Sequence, residues 1–489
     1  MSCVPAAPRH PARDALLIAG LAFALRFGIA LFSNGGLGGL YGYDAGVYYG
    51  AADALIHGRV PYRDFILLHP PLLMLVLTPF AALGRITTDH AGYITANVAF
   101  NVLAALNAVL VWRIAGLWGF TRRAALIGGL FYAIWWGAIT GEYGLRLEPL
   151  GTFLFLLAVL FLAQGRALPA GLALGATCCV KIWWAVPLLI VLTWHLARRE
   201  QRPAAGRLAA GAAAAGVIIA GPFFALAASD TWHRVVTDQL GRRYNAGANV
   251  RIETLAGLRK AMPHLPTPLL AAAAAIIGAL FVAAVVVGWR QAPARLAVAV
   301  LAAQFVLLMV SPSFFSFYGG FIAGSLSLTV AAASNPAPAR WRLDHRVGLI
   351  AAGVAGLVTL VALGRSRDLV DPFPGATFER ATAGLRCVIT DSTSGLILMN
   401  RLSDDLEHGC PVWVDVTGHT YFGAAKSDEL SRRDNPAWQH LLQRYLLSGD
   451  AAVIVRPPGT QPSAQTLRLL RRHPVIARGD GFVLYRITR

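Results

Sequence analysis

Charge is scarce in this chain. Of 489 residues only 14% are Asp, Glu, Lys or Arg, against 56% hydrophobic, whereas soluble domains carry nearer a quarter charged residues. That shortage excludes an ordinary soluble globular protein. Acids are scarcer still, 25 against 43 Lys and Arg, for a formal net charge of +18. A basic excess usually points to nucleic acid. Here most of it is arginine in short loops between apolar runs, which is the positive-inside pattern of a membrane chain. Cysteine is rare, five in all, with no CxxC pair and no Cys/His zinc spacing. The two halves show no internal repeat, which weighs against the inverted-repeat architecture of many transporters.

Long apolar runs are abundant. Segments near 15–34, 91–113, 124–140, 148–165, 168–182, 183–197, 206–228, 266–288, 296–312, 314–333 and 347–364 read as spans, because runs of about 17–25 apolar residues match the bilayer core and lipid tolerates only helix or closed barrel. MSCVPAAPRHPARD precedes the first run without a cleavage site and reads as the flank of an uncleaved anchor. A further run, LLHPPLLMLVLTPFAALG (67–84), holds Pro70, Pro71 and Pro79, which interrupt a helix. With Arg9 and Arg13 on the cytoplasmic side, a non-crossing 67–84 places Arg113/Arg122/Arg123, Arg166, Arg198/Arg199/Arg202/Arg207, Arg290/Arg295 and Arg340/Arg342/Arg346 inside. A crossing would move all of them outside. The segment therefore reads as re-entrant or interfacial on the outer face, and 35–90, 141–148, 229–265, 311–320 and the C-terminal region fall outside the plasma membrane.

The expected fold is mainly α: a polytopic bundle of about 11 spans plus the re-entrant outer segment over 1–365, and a small α/β domain over 366–489. In that second region RCVITD, CPVWVDV, AAVIVR and GFVLYRI read as short strands, WQHLLQRYLLSG and AQTLRLLRRH as amphipathic helices. It shows no Gly-rich phosphate loop and reads as a docking or acceptor-shaping domain. A Cys387–Cys410 disulfide is open to it if it is exported. Cys178 and Cys179 sit in an apolar run as packing residues.

Ionisable groups at membrane depth are costly and are functional candidates by default. On the outer side they are Arg26, Asp44, Asp64, His69, Glu142, Arg146, Glu148 and Lys181, joined by Arg242 and Arg243 in the long loop and Tyr318 in SFYGG. A carboxylate can take the proton of a hydroxyl acceptor, cations can neutralise a phosphate, and aromatic rings offer flat faces for a sugar. Each has a plainer reading. Asp44 can cap a helix over 45–57, Asp64 can pair with Arg63, Asp53 can lie on the solvated face of an amphipathic helix, and His57 can be a charge at that helix's C-terminal end.

The stretch YDAGVYYGAADALIHGRVPYRDF…HPPL resembles the first outer loop (35–90) of GT-C membrane glycosyltransferases, which include the protein O-mannosyltransferases and the lipid A aminoarabinose transferases. The resemblance follows the span pattern from 14 to 364. It implies an inverting transfer of a hexosyl or pentosyl group from a polyprenyl-phosphate donor to an acceptor outside the membrane, a cell-envelope glycan, lipid or protein. Asp44 would be the general base, His69 a contact of the carrier phosphate, and Glu142 or Glu148 the second acidic position. Arg26, Asp64, Arg146, Lys181, Arg242, Arg243 and Tyr318 remain substrate-binding candidates. Many relatives carry an Asp-Glu pair at the first site; here Ala45 follows Asp44, so a divalent metal is left open and no cofactor is assigned. The Ala-, Arg- and Gly-rich composition points to a bacterium. The alternative is a flippase or transporter of lipid-linked sugars.

Overall fold

The structure is a computed structural model that describes residues 11–336, 346–421, 425–426, 430–455 and 462–488. Arg9, Arg340 and Arg342 of the topology argument lie outside the described residues. The chain divides into two compact units: one of 1–29, 99–219 and 244–367, the other of 30–98, 220–243 and 368–489.

The first unit is helical. Among the described residues of the whole chain, seven helices are long and apolar enough to cross a membrane: Ala12–Phe32, Asp89–Leu117, Arg199–Leu240, Thr267–Arg290, Ala292–Val310, Ser316–Ser334 and Arg346–Leu363. The bent pair Arg122–Ile134 and Trp136–Glu142 makes an eighth. Each of the eleven segments expected from hydropathy coincides with an apolar helix, but not each is a full span. Leu147–Ala163, Ala167–Cys178 and Ile182–Leu196 are shorter; the 12 residues of Ala167–Cys178 reach only about 18 Å at ~1.5 Å per residue. Helix Gly319–Ser334 is buried over its whole length and packs against Arg122–Ile134, Thr267–Arg290, Arg295–Val310 and Arg346–Leu363, which makes it the centre of the unit.

Small residues set the closest helix approach. A Cβ on Gly171 would lie 2.2 Å from the Leu208 carbonyl oxygen, one on Gly175 2.4 Å from that of Ala212, and one on Gly211 2.5 Å from that of Leu168. Backbone meets backbone there, the packing mode that serves where lipid removes the hydrophobic drive between helices.

The bent pair is broken at Trp135, which is extended at φ −69° and ψ 125°. A break inside an apolar segment frees carbonyls, and side chains take them up: Arg26 Nη1 donates to Ala133 O at 2.9 Å, Arg26 Nη2 to Tyr132 O at 3.3 Å and Thr359 Oγ1 to Ile134 O at 2.6 Å.

In the second unit, helix Tyr43–Ile56 is buried continuously from Ala45 to Ala54. This corrects the expectation of an amphipathic interfacial helix: one face packs on helix Leu72–Ile86 and others on Thr393–Leu398 and Leu402–Glu407. Helix Leu72–Ile86 covers most of the proline-rich run. Its 15 residues span about 22 Å, short of the ~30 Å hydrocarbon core. Pro79 leaves the Leu75 carbonyl without its i+4 donor, and Thr78 Oγ1 supplies one at 2.8 Å.

The C-terminal region holds a four-stranded mixed sheet of β1 (Val388–Thr390), β2 (Ala451–Val453), β3 (Val475–Gly479) and β4 (Phe482–Arg486), in the order β1-β2-β4-β3. β1 and β2 are parallel and the other pairs antiparallel. Trp438, Leu442 and Leu446 pack with Ile389, Ala452 and Ile487 to form its core. CPVWVDV is not a strand. Its polar groups are met by side chains instead: Thr393 Oγ1 donates to Val414 O at 2.7 Å, and Trp413 N donates to Tyr445 Oη at 3.1 Å. β3 was not anticipated, because it is an edge strand with no buried face and its sequence, VIARG, has no apolar alternation. Cys387 and Cys410 form a disulfide, which ties the start of β1 to that irregular segment.

The glycine contacts carry a test within one helix. Gly211→Ala should lower the thermal midpoint of the detergent-solubilised protein by several degrees, since overpacking costs about 1–3 kcal/mol. Gly216→Ala, with open space around its Cβ position, should leave the midpoint unchanged or raise it, and equal shifts in a fluorescence melt would count against this packing.

Candidate functional site

The first unit places six of the sequence candidates around residues 141–148, between the bent pair and helix Leu147–Ala163. Glu142 is fully buried. Its Oε2 accepts from Arg26 Nε at 3.0 Å and Nη2 at 2.8 Å, and its Oε1 from Asn107 Nδ2 at 3.2 Å and from the Tyr132 hydroxyl. Four donors therefore occupy this carboxylate, which lacks a free face for a substrate proton. Arg26 is likewise fully buried and spends its remaining N–H groups on backbone carbonyls of Ala22, Tyr132 and Ala133.

Glu148, Lys181, Tyr318 and Arg146 form a different group. Lys181 Nζ donates to Glu148 Oε1 at 3.1 Å, and both residues are buried. The ammonium lies 3.9 Å from the ring centre of Tyr318 and 4.2 Å from that of Trp183, close enough for cation–π attraction. The Arg146 guanidinium stacks 4.4 Å from the ring of Phe317 and 5.1 Å from that of Tyr143, and donates to the Tyr143 hydroxyl at 3.0 Å. Close backbone approach brings these parts together: a Cβ on Gly320 would lie 2.7 Å from Glu148 Cβ, and one on Gly141 2.9 Å from the Phe317 carbonyl. Tyr318 is buried within this group.

Sequence reasoning did not single out Arg251. It is fully buried, donates to Ala246 O, Leu308 O and Ser311 Oγ, and lies 4.5 Å from the Tyr244 ring. Its signal was weak because Arg242 and Arg243, nearby in the same loop, look identical in one dimension.

The second unit places Asp44, Asp64, His69, Arg242 and Arg243. Asp44 is half-buried in the first turn of helix Tyr43–Ile56, where a negative charge is favoured by the helix dipole. Gly42 enters that turn at φ +89°, a conformation open to glycine without strain. The half-buried ring of His69 packs edge-on to Tyr48 at 5.8 Å, and its carbonyl accepts from the Tyr62 hydroxyl at 2.7 Å. Tyr62 itself holds φ +69°, a backbone strain of the kind that persists where surroundings enforce it. Asp64 is exposed and bound by Arg63 Nε at 2.9 Å and Nη2 at 2.8 Å, and by Val60 N at 2.7 Å. The hydrogen bond from Arg63 lowers its pKa to about 2. Arg242 is half-buried and Arg243 exposed.

Asp53 is not on a solvated face. It is fully buried and faces Asp89, Ser403, His57 and, further off, Arg85 and Glu407. The Ser403 Oγ lies 3.2 and 3.3 Å from the Asp53 oxygens and 2.5 Å from Asp89 Oδ1, and Ser403 N donates to Asp89 Oδ2 at 3.0 Å. A hydroxyl has one proton to give, so two carboxylates around it are best met when Asp53 is protonated and donates to Ser403. Burial first, and the Asp89 charge second, raise the Asp53 pKa to about 8. His57, at the C-terminal end of helix Tyr43–Ile56, lies 3.5 Å from Asp53 Oδ1 and 3.6 Å from Glu407 Oε1 and so closes this cluster. Among the described residues, no group of three or more His, Cys, Asp or Glu is arranged to hold a metal ion.

A family model described as Glycosyltransferase family 87 matches residues 67–312, half of the chain. Among solved structures, ArnT from Cupriavidus metallidurans bound to undecaprenyl phosphate is similar at a TM-score of 0.63 and 16% identity, covering 97% of this chain and 98% of that one. The oligosaccharyltransferase of Archaeoglobus fulgidus in complex with Zn and sulfate is similar at 0.53 and 13%, covering 90% and 67%. AglB from the same organism, in complex with an inhibitory peptide and a dolichol-phosphate, is similar at 0.52 and 12%, covering 91% and 69%. No match is found among curated proteins. These likenesses show a multi-pass membrane protein of the GT-C fold.

The acid cluster generates a pH dependence of definite sign. With its folded pKa raised, Asp53 binds a proton more tightly in the folded than in the unfolded chain, so its contribution favours folding at low pH. It is lost as pH climbs from about 4 towards 8. The thermal midpoint of the wild type should therefore fall across that window more steeply than that of Asp53→Asn, which carries a permanent donor to Ser403. Parallel midpoint-versus-pH curves for the two proteins would contradict the protonated form.

Proposed function

Since the chain belongs to glycosyltransferase family 87, we propose that it moves a sugar from a polyprenyl-phosphate carrier to an acceptor hydroxyl outside the plasma membrane, with inversion at the anomeric carbon. The observation that carries this reading is the group of Lys181, Arg146 and Glu148 among the rings of Trp183, Tyr318, Phe317 and Tyr143. Lys181 and Arg146 bring an ammonium and a guanidinium beside aromatic faces at the ends of short apolar helices. That is the complement of a phosphodiester monoanion joining a sugar to a lipid. Undecaprenyl phosphate in the ArnT complex and dolichol-phosphate in the AglB complex support a carrier of that class.

In the proposed step, Asp44 takes the acceptor hydroxyl proton as the acceptor oxygen attacks the anomeric carbon. The bond from that carbon to the phosphate oxygen breaks, and its electron pair leaves with the carrier phosphate. The phosphate gains negative charge as the bond opens, so Lys181 and Arg146 bind the transition state more strongly than the donor. His69, Arg242 and Arg243 are proposed as further donor contacts. Glu142 and Arg26, saturated by one another and by backbone, are proposed to hold the bend that presents 141–148. Asp64, committed to Arg63 and Val60, is proposed to order its turn. The outward orientation rests on the arginine-rich loops on one side.

A panel of polyprenyl-phosphate sugars, tested with the full-length protein in proteoliposomes, checks the reading. Asp44→Asn should reduce transfer by about 10²- to 10⁴-fold with expression and donor binding retained. Arg146→Met should chiefly weaken donor use. Near-normal transfer by Asp44→Asn would remove Asp44 as the base, and sugar accumulation across the vesicle without bond cleavage would favour a flippase.

A further inference from the structure

We infer that Tyr43 and Asp415 are positioning residues for the Asp44 carboxylate, so that the C-terminal region sets the geometry of the transfer step. The inference rests on the reading of Asp44 as the base. The Tyr43 hydroxyl donates to Asp415 Oδ1 at 2.7 Å and accepts from Thr417 N at 2.8 Å. The same carboxylate oxygen accepts from Thr417 Oγ1 at 2.9 Å and from Gly418 N at 3.0 Å. Asp415 is thus buried and locked by its own loop, and the tyrosine is tied to a rigid partner.

The residues on either side of Asp44 are held in the same way. The Gly42 carbonyl accepts from Ser394 Oγ at 3.2 Å. One turn along, a Cβ on Gly46 would lie 2.2 Å from Ser394 Oγ and 2.5 Å from Ser394 N, and one on Gly50 2.5 Å from Thr393 Cγ2. Glycine at 46 and 50 lets helix Tyr43–Ile56 lie directly on the start of helix Thr393–Leu398.

These ties fall where the helix is weakest. The first turn of any helix lacks intrahelical partners for its N–H groups, and Gly42 offers no side-chain cap. The orientation of the turn that carries Asp44 therefore depends on bonds from outside the helix, and the Tyr43 hydroxyl makes two of them. A base displaced by about 1 Å can cost a reaction ~10²-fold, so a hydrogen bond remote from the substrate can govern the rate.

Phenylalanine at 43 keeps the ring and removes only the hydroxyl. In the full-length protein, with a donor found active in the panel above, Tyr43→Phe should lower kcat roughly 10- to 100-fold and leave the donor KM within about threefold of wild type. Asp415→Ala should match it, and Asp415→Asn, which keeps an acceptor oxygen, should recover most of the rate. A readout independent of activity is amide hydrogen exchange: the peptide over 42–47 should exchange about tenfold faster in Tyr43→Phe, with helix Gly319–Ser334 unchanged. Wild-type exchange over 42–47, or an unchanged kcat in Tyr43→Phe while Asp44→Asn is inactive, overturns the inference. Activity in Asp44→Asn overturns the base assignment instead and takes the catalytic part of the inference with it, and the exchange data then judge the structural clamp alone.

Discussion

The Arg26 guanidinium sits at a helix break buried inside the bundle. An apolar segment interrupted at Trp135 leaves carbonyl oxygens that have no water to turn to. Arg26 donates to two of them and to Glu142, and Thr359 covers a third. The positive charge would itself be costly in that setting, but Glu142 neutralises it at 2.8 Å and Asn107 and Tyr132 fill the remaining lone pairs. A buried ion pair seldom adds stability over a well-packed apolar core. Its use here is geometric: the pair permits a 53° bend, and the bend sets the chain for the 141–148 turn.

From that turn the second buried pair follows. Glu148 opens helix Leu147–Ala163 and holds Lys181, which stands between two short helices. Trp183 and Tyr318 give the ammonium two further electron-rich faces without adding charge. Both members of the Glu148–Lys181 pair are buried, where the attraction between opposite charges is stronger than in water. The glycines at 141 and 320 matter because any side chain there would push the aromatic segment and Glu148 apart.

The membrane class and the places of the apolar helices were legible in the sequence, because hydropathy acts locally. The number of full spans was not, since a run such as 168–182 has the composition of a span and the length of half of one. Lys181 and Glu148 were picked singly on the cost of burying charge, but nothing in one dimension paired them. Asp53 reads as a solvated residue in one dimension, because nothing adjacent in the chain marks its burial. Its partner Ser403 is 350 positions away. Tyr43 looked like one tyrosine among several for the same reason, its partner Asp415 lying 372 positions away.

The sequence by itself determined that this is a helical membrane protein with a polar C-terminal region and a first loop like that of GT-C glycosyltransferases, because those properties are sums over neighbouring residues. Tertiary structure decided which charges neutralise each other, which carboxylate is saturated and which is half-buried in a helix's first turn, and which glycines stand at close contacts. Those outcomes depend on distances between residues far apart in the chain, and the energy of a buried charge is settled by its partners rather than by its place in the sequence.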